Sequence, residues 1–252
     1  MLESSEFLSK ENMTPKLVSF KVCPFVQRVA ITLQYKGIDY DIEYIDLGSP
    51  PEWFLAISPL KKVPLLIVDN TVIFESAVIN EYIDEAYQPM LHPEDLLLKA
   101  INRSWIEFSS NISLYTFELT IKEKKNDFEN ILEELLKGFD LVEDYLNAKP
   151  FFNGEQFSLV DSSYAPIFQR LEFLAQIYKP IISSERHPKL VKWKDSLLSL
   201  NAVKRSTVEE IQNLYYQLLW TRQGYISQFL SEREYGKTVS YTHLRAHETK
   251  AN

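Results

Sequence analysis

The hydrophobic pattern of this chain changes abruptly at residues 88–93, a segment that holds two prolines and shows no periodicity. Before this segment, short apolar runs alternate with helix-like repeats in the order strand, helix, strand, helix, strand, strand, helix. After it, apolar residues recur at helical spacing as far as about Leu230, which indicates helices throughout. The chain is therefore predicted to fold as an α/β domain followed by an all-α domain.

We expect the regions to be a flexible arm at residues 1–14, the α/β domain at 15–88, a linker at 89–93 and the helical domain at 94–237. The last segment, residues 238–252, has no apolar period. It resembles the in-frame translation of a sequencing-library transposon adapter. We therefore expect this tail to be non-native and the natural C-terminus to be missing, so the tail carries no weight for fold or function.

The composition of the chain narrows the classes of function. Hydrophobic residues make up 45% of the 252 residues and charged residues 25%, which is ordinary for a globular protein. The net charge of −8 argues against a protein that binds nucleic acid by neutralising phosphates. The apolar runs are far shorter than the ~18 residues that a membrane span needs, and no secretory signal is visible. We expect a cytoplasmic protein that binds neither nucleic acid nor membranes.

The chain has one cysteine, Cys23, which excludes an internal disulfide and a cysteine-based zinc cluster; no metal is expected. An apolar strand ends just before it, and Pro24 suits the first position of a helix. The thiol is thus predicted at a helix N-terminus, where unpaired N–H groups favour thiolate and lower the pKa. The other interpretation is a small buried hydrophobe, the usual state of an unpaired cysteine.

Two polar residues of the helical region, Ser158 and Asp161, are spaced as in a capping box at the start of a helix. We interpret both as structural rather than catalytic. Three large aromatic residues, Trp105, Tyr115 and Trp220, are candidates for the wall of a pocket between the domains. Their helical spacing fits packing between helices better.

Three short segments carry a family resemblance: Cys-Pro-Phe-Val-Gln-Arg at 23–28, Lys-Lys-Val-Pro at 61–64, and Glu-Ser at 75–76 where a helix opens. In this order and over this fold pattern they resemble cytosolic glutathione transferases, and more narrowly the cysteine-type classes such as omega and lambda and related bacterial proteins. The segments at 50–54 and 81–87 strengthen the omega-like impression. The resemblance implies a thioredoxin-like first domain with a mixed four-stranded sheet, a helical second domain and a homodimer.

The resemblance also implies how four residues bind glutathione. Pro64 would follow a cis peptide bond, and the backbone of Val63 would pair with the cysteinyl part of glutathione as an added strand would. Glu75 and Ser76 would hold the amine and carboxylate of the γ-glutamyl part, with the carboxylate near a helix N-terminus. The alternative interpretation of Glu75 and Ser76 is a helix cap, and that of Pro64 is the edge of a sheet.

Two further residues complete the implied glutathione site. Lys62 would offset the glycyl carboxylate, and Phe25 would line the site of the sulfur. Lys62 has the alternative of a solvated surface charge. One departure from the omega pattern is Pro50, which stands where that pattern has a lysine just before its Pro-Glu-Trp segment. One carboxylate contact is therefore in doubt.

With Cys23 at the catalytic position, the resemblance implies a thiol transferase or reductase with glutathione as co-substrate. Cys23 would take glutathione from a mixed disulfide, or reduce an electrophile, and a second glutathione would resolve the adduct. Val26 occupies the place of the second cysteine of a Cys-x-x-Cys motif, so the cycle would be monothiol. The implied reactions are deglutathionylation, dehydroascorbate reduction and reduction of glutathionyl conjugates. The open alternatives are a conjugating transferase with Cys23 as a bystander, and a non-enzymatic binding or regulatory module.

Overall fold

A computed structural model describes residues 14–147 and 149–230 of the chain. Nearly all of the predicted arm and the whole of the predicted tail lie outside the described residues. The first region has its elements in the predicted order. They are β1 (Lys16–Ser19), α1 (Pro24–Lys36), β2 (Asp41–Tyr44), α2 (Glu52–Ile57), β3 (Leu65–Val68), β4 (Thr71–Phe74) and α3 (Ser76–Ala86).

The four strands form one sheet in the order β2-β1-β3-β4. β1 is parallel to β2 and antiparallel to β3, and β3 is antiparallel to β4, so the predicted mixed four-stranded sheet is confirmed. The sequence pattern of residues 38–47 predicts a second strand longer than the one observed, because β2 pairs only where the four residues of β1 lie opposite it. Asp69 and Asn70 both have positive φ and close the predicted hairpin between β3 and β4.

Helix α1 lies at the centre of the molecule and is buried on several sides. Its residues from Val26 to Leu33 are all buried, and Gly37 ends it in the left-handed conformation (φ 64°) that glycine commonly adopts after a helix. Val29 and Leu33 belong to the core of the first region, whereas Ile31 belongs to the core of the helical region. One helix therefore fixes the position of Cys23 relative to both regions.

The second region is helical throughout, as predicted. None of the helices in the described part of the chain combines the length and apolarity needed to cross a membrane. The elements are α4 (Leu96–Glu118), α5 (Lys125–Tyr145), α6 (Leu159–Ile177), α7 (Pro188–Ser199), α8 (Asn201–Lys204), α9 (Ile211–Arg222) and a 3₁₀ turn (Tyr225–Phe229).

The periodicity of the sequence predicts one long last helix from Val208 to about Leu230, and this prediction is wrong. Helix α9 ends at Arg222, and the next residue has a left-handed backbone (φ 54°). Gly224 then passes so close to the end of α4 that a Cβ there would lie 2.3 Å from the carbonyl oxygen of Thr120. This approach to a distant part of the chain interrupts the helix, and the periodicity of one segment carries no information about it.

The predicted capping box is present at the start of α6. Asp161 is completely buried. Its Oδ2 accepts the N–H of Ser158 and the hydroxyl of Ser158, both at 2.7 Å, and its Oδ1 accepts the N–H of Phe152 at 2.9 Å and the indole N–H of Trp193 at 2.6 Å. Asp161 therefore ties α7 and the loop before α6 to the start of α6.

Candidate active site

Cys23 lies at the N-terminus of α1, as predicted, with Pro24 as the first residue of the helix. Its N–H donates to the carbonyl of Phe20 (2.9 Å), and its carbonyl accepts the N–H of Gln27 (3.2 Å). The side chain is partly exposed and lines a cavity of about 340 Å³ between the two regions. The loop between β1 and α1 thus presents the thiol to a space large enough for a small molecule.

Burial raises the pKa of the Cys23 thiol above its ordinary value, because the apolar surroundings disfavour the thiolate. The N–H groups of Val26 and Phe25 at the start of α1 lower this pKa, as do the positive charges of Arg170 and Arg28. The predicted effect of the helix N-terminus is present, but desolvation outweighs it. The prediction of a lowered thiol pKa is therefore wrong.

Arg170 of α6 supports the loop that carries Cys23. Its Nη2 donates to the carbonyl of Val22 (3.2 Å), and its Nη1 donates to the side chains of Gln27 and Gln169 and to the carbonyl of Pro166. Burial lowers the pKa of Arg170 to about 10, so it is a cation at neutral pH. Among the described residues it has no carboxylate partner, which leaves its charge free to favour a nearby thiolate.

We expect Arg170→Gln to move the pH profile of Cys23 alkylation to higher pH. The alkylation rate of the wild type should still increase through pH 9, because its thiol pKa is raised. Loss of the Arg170 charge raises this pKa further, and each pKa unit lowers the thiolate fraction at neutral pH about tenfold, so the rate there should fall. The measurement is the rate of iodoacetamide alkylation as a function of pH. Arg186→Gln, at an exposed arginine paired with Asp140, should leave the profile unchanged. Identical profiles for the wild type and Arg170→Gln would contradict this role.

The six residues predicted to bind glutathione lie around one cavity of about 320 Å³. The peptide bond between Val63 and Pro64 is cis, as predicted. The lining of this cavity also includes residues from α1 and α4 that sequence reasoning missed, namely Arg28, Glu107 and Ser110. Arg28 belongs to the motif at 23–28, but neighbouring sequence does not indicate its burial. The six predicted residues are Phe25, Lys62, Val63, Pro64, Glu75 and Ser76.

Glu75 immediately precedes α3 and has φ 67° and ψ 115°, a conformation that a residue with a Cβ rarely adopts. We expect Glu75→Gly to be more stable than Glu75→Ala by about 1 kcal/mol or more, because glycine relieves this strain. Urea unfolding of both variants measures the difference. Within α3 the same comparison at Glu85 should have the opposite sign, because glycine is destabilising in a helix by about 1 kcal/mol relative to alanine. Equal stability of the two Glu75 variants would show that the position is not strained.

The cavity beside Cys23 has mostly apolar walls. Trp105, Tyr115 and Trp220 are absent from its lining and pack against the core of the helical region, as their spacing favoured. Phe25 lines both this cavity and the one around Glu75 and Ser76. The two cavities therefore meet at the start of α1. The apolar side chains of the first cavity include Phe20, Val22, Phe25, Leu114, Phe117, Ile167 and Leu218.

Comparison with known proteins identifies the family. Residues 17–90 match the family model described as "Glutathione S-transferase, N-terminal domain", and residues 125–195 match "Glutathione S-transferase, C-terminal domain". The chain is 34% identical over 213 residues to glutathione S-transferase omega-1 of Rattus norvegicus, which covers 80% of this chain and 86% of the relative. The chain belongs to the glutathione S-transferase family.

Two further relatives bear on this glutathione S-transferase. It is 32% identical to a probable glutathione S-transferase of Oryza sativa subsp. japonica named DHAR2, chloroplastic, over 75% of this chain and 66% of the relative. Among solved structures, glutathione transferase Omega 3C from Trametes versicolor superposes with a TM-score of 0.69 at 28% identity, over 77% of this chain and 89% of that chain. The predicted resemblance and the fold class, a thioredoxin-like domain followed by a helical domain, are confirmed.

Proposed function

We propose that this chain is a glutathione-dependent thiol transferase or reductase that works through a mixed disulfide between Cys23 and glutathione. One observation carries the proposal: Cys23 lines an apolar cavity that shares Phe25 with the cavity lined by the predicted glutathione ligands. A transfer between glutathione and an apolar partner needs both spaces on the two sides of one sulfur. The omega and DHAR names of its relatives support the same class of activity.

In this proposal glutathione occupies the polar cavity and contacts the residues predicted for it. The backbone of Val63 pairs with the cysteinyl part, and Lys62 offsets the glycyl carboxylate. Glu75 and Ser76 hold the γ-glutamyl part, and Phe25 lines the site of the sulfur. The proposed glutathione-binding domain comprises residues 15–88, and the helical domain begins at residue 94.

The reaction of a mixed disulfide between glutathione and another thiol then proceeds in two steps. The Cys23 thiolate attacks the glutathione sulfur, the disulfide bond breaks, and the other thiol leaves as a thiolate into the apolar cavity. A glutathione thiolate next attacks the glutathione sulfur of the Cys23 adduct, which releases glutathione disulfide and restores the Cys23 thiolate. Because Cys23 is the only cysteine of the chain, no second protein thiol takes part.

The walls of the apolar cavity favour some of the proposed partners over others. Its lining is dominated by side chains such as Phe20, Phe117 and Leu218. Mixed disulfides and glutathionyl conjugates with an aromatic or branched apolar group fit these walls. Dehydroascorbate is small and polar, and it would depend on the polar residues of the same lining, such as Ser113, Thr116 and Arg170, for its hydrogen bonds.

The second candidate is conjugation of glutathione to an apolar electrophile. The raised pKa of the Cys23 thiol favours this alternative, because a neutral thiol is a poor nucleophile. The intact mass after incubation with glutathione disulfide decides between the two. A single glutathione adduct that forms faster as the pH rises supports thiol transfer. Absence of an adduct up to about pH 9, at the ordinary thiol pKa, would favour conjugation or a non-enzymatic role.

We also propose that two copies of the chain pair and act in the cytosol, where glutathione keeps thiols reduced. Phe74 and Val78, on β4 and α3, are exposed apolar side chains. A groove between α4 and α5 is lined by the exposed Leu141 and Tyr145 and by the partly buried Trp105. A twofold arrangement would place the first patch of each copy in the groove of the other and cover both. Light scattering tests this: the mass of a single chain at micromolar concentration would contradict pairing.

A further inference from the structure

Arg28 is an arginine of α1 that is only 2% exposed. Its Nη2 donates to the hydroxyl of Ser109 at 2.9 Å, and its Nη1 donates to the hydroxyl of Ser76 at 3.4 Å. The guanidinium lies over the ring of Phe25, 5.4 Å from its centre. The Nε has no hydrogen-bond partner. The side chain is therefore held in place by two hydroxyls and one aromatic ring, and part of its hydrogen-bonding capacity is unused.

Arg28 forms no ion pair within 4 Å in the described part of the chain, although the carboxylate of Glu107 in the same cavity lies near enough to raise the pKa of Arg28. Burial lowers its pKa to about 10, so the guanidinium is still a cation at neutral pH. A buried cation without an anionic partner is costly, and proteins normally pair such a charge. A guanidinium fixed in this way is suited to bind a carboxylate.

Arg28 lines the polar cavity together with Ser76, the first residue of α3. The N-terminus of this helix of eleven residues adds N–H groups and a positive dipole end beside the guanidinium. Glutathione carries two carboxylates and one amine. The predicted residues supply one cation, Lys62, and one carboxylate, Glu75, and the cavity also contains a second cation, Arg28, and a second carboxylate, Glu107.

We infer that Arg28 binds the α-carboxylate of the γ-glutamyl part of glutathione, in the same anion site as Ser76. The inference rests on the proposed glutathione site. It assigns the two carboxylates of glutathione to two different cations, Arg28 at the γ-glutamyl end and Lys62 at the glycyl end. Both charges of the γ-glutamyl part then have partners of opposite sign.

Calorimetric titration with three ligands tests this assignment. The ligands are S-methylglutathione, which cannot exchange disulfides, an analogue with 4-aminobutyrate in place of the γ-glutamyl residue, and the glycine amide. The 4-aminobutyryl analogue lacks only the γ-glutamyl carboxylate, and the glycine amide lacks only the glycyl carboxylate. Wild type should bind the 4-aminobutyryl analogue about tenfold to a hundredfold more weakly than S-methylglutathione, the usual range for a charged hydrogen bond.

Three variants locate the effect. Arg28→Gln should bind S-methylglutathione and the 4-aminobutyryl analogue with nearly equal affinity, and it should keep the wild-type loss for the glycine amide. Lys62→Gln should show the opposite pattern. Arg28→Lys, which keeps the charge but not the two-pronged geometry, should retain part of the discrimination. A merely structural role of Arg28 would weaken all three ligands by the same factor.

The outcomes separate the inference from the proposed function. If wild type binds S-methylglutathione but tolerates loss of the γ-glutamyl carboxylate within about twofold, the inference is wrong and the glutathione site stands. The same holds if Arg28→Gln, or Arg28→Lys where the glutamine variant fails to fold, discriminates as wild type does. If wild type does not bind S-methylglutathione at all, the proposed function itself fails, and the inference fails with it.

Discussion

Cys23→Ser should abolish thiol transfer and leave glutathione binding intact. A serine hydroxyl cannot replace a thiolate in attack on a disulfide, so turnover of a glutathione mixed disulfide should fall by roughly a thousandfold or more. The hydroxyl can donate a hydrogen bond to a bound glutathione thiolate, so conjugation of an activated aryl halide should persist or increase. The measurements are steady-state rates with both substrates and the affinity for S-methylglutathione.

The control for this variant changes another residue that lines the same apolar cavity as Cys23. Ser113→Ala, at another polar residue of the same lining, should keep thiol transfer within a few-fold of the wild-type rate, since it touches no reacting sulfur. If Cys23→Ser keeps the transfer rate of the wild type, then Cys23 is a bystander. The conjugating alternative would then replace the proposed function.

Asp161→Ala should lower the free energy of unfolding by about 3–5 kcal/mol. The substitution leaves two backbone N–H groups, a hydroxyl and the indole N–H of Trp193 in α7 without their acceptor. Urea unfolding followed by circular dichroism measures the loss. Asp195→Ala, which removes an exposed carboxylate of α7, should cost less than about 0.5 kcal/mol. Equal losses for the two variants would contradict the structural role of Asp161.

The same carboxyl predicts a pH dependence of stability. Burial raises the pKa of Asp161 to about 6, although the hydrogen bonds that its carboxylate accepts lower the pKa. The folded state then binds a proton more tightly than the unfolded state, so protonation of this group favours folding as the pH falls through 6. Relative to Asp161→Asn, wild type should therefore gain stability between about pH 7 and pH 5. A constant difference between the two proteins over this range would show that Asp161 does not titrate there.

Features that depend on a few neighbouring residues could be predicted from the sequence. Pro24 and Gly37 mark the two ends of α1, Pro64 follows the predicted cis bond, and the spacing of Ser158 and Asp161 identifies the start of α6. In each case the local backbone chemistry of one residue type sets the structure. The roles of the glutathione ligands stay predictions, although the structure places these residues around one cavity.

Features that depend on distant parts of the chain could not be predicted. The pKa of Cys23 is set by walls that come from α4, α6 and α9, and these outweigh the local effect of the helix N-terminus. Arg28 and Arg170 are buried only because the helical region covers α1. An arginine in a sequence carries no signal that it will be buried, since most arginines are exposed. The end of α9 at Arg222 is likewise set by a contact with α4.

The contacts across α1 limit how such enzymes can be recombined. Gln27 donates to Gln169 (2.9 Å) and Ser206 (3.1 Å), and Arg170 holds the carbonyl of Val22, so the loop that carries Cys23 is assembled by both regions. A chimera that joins this first region to the helical region of a relative at residues 89–93 would lose these partners. It should recover thiol transfer only when the helical region of the relative is given Gln169, Arg170 and Ser206, the partners of Gln27 and Val22. The turnover of the chimera with and without these three residues measures the difference. The linker divides the sequence, but it does not divide the catalytic unit.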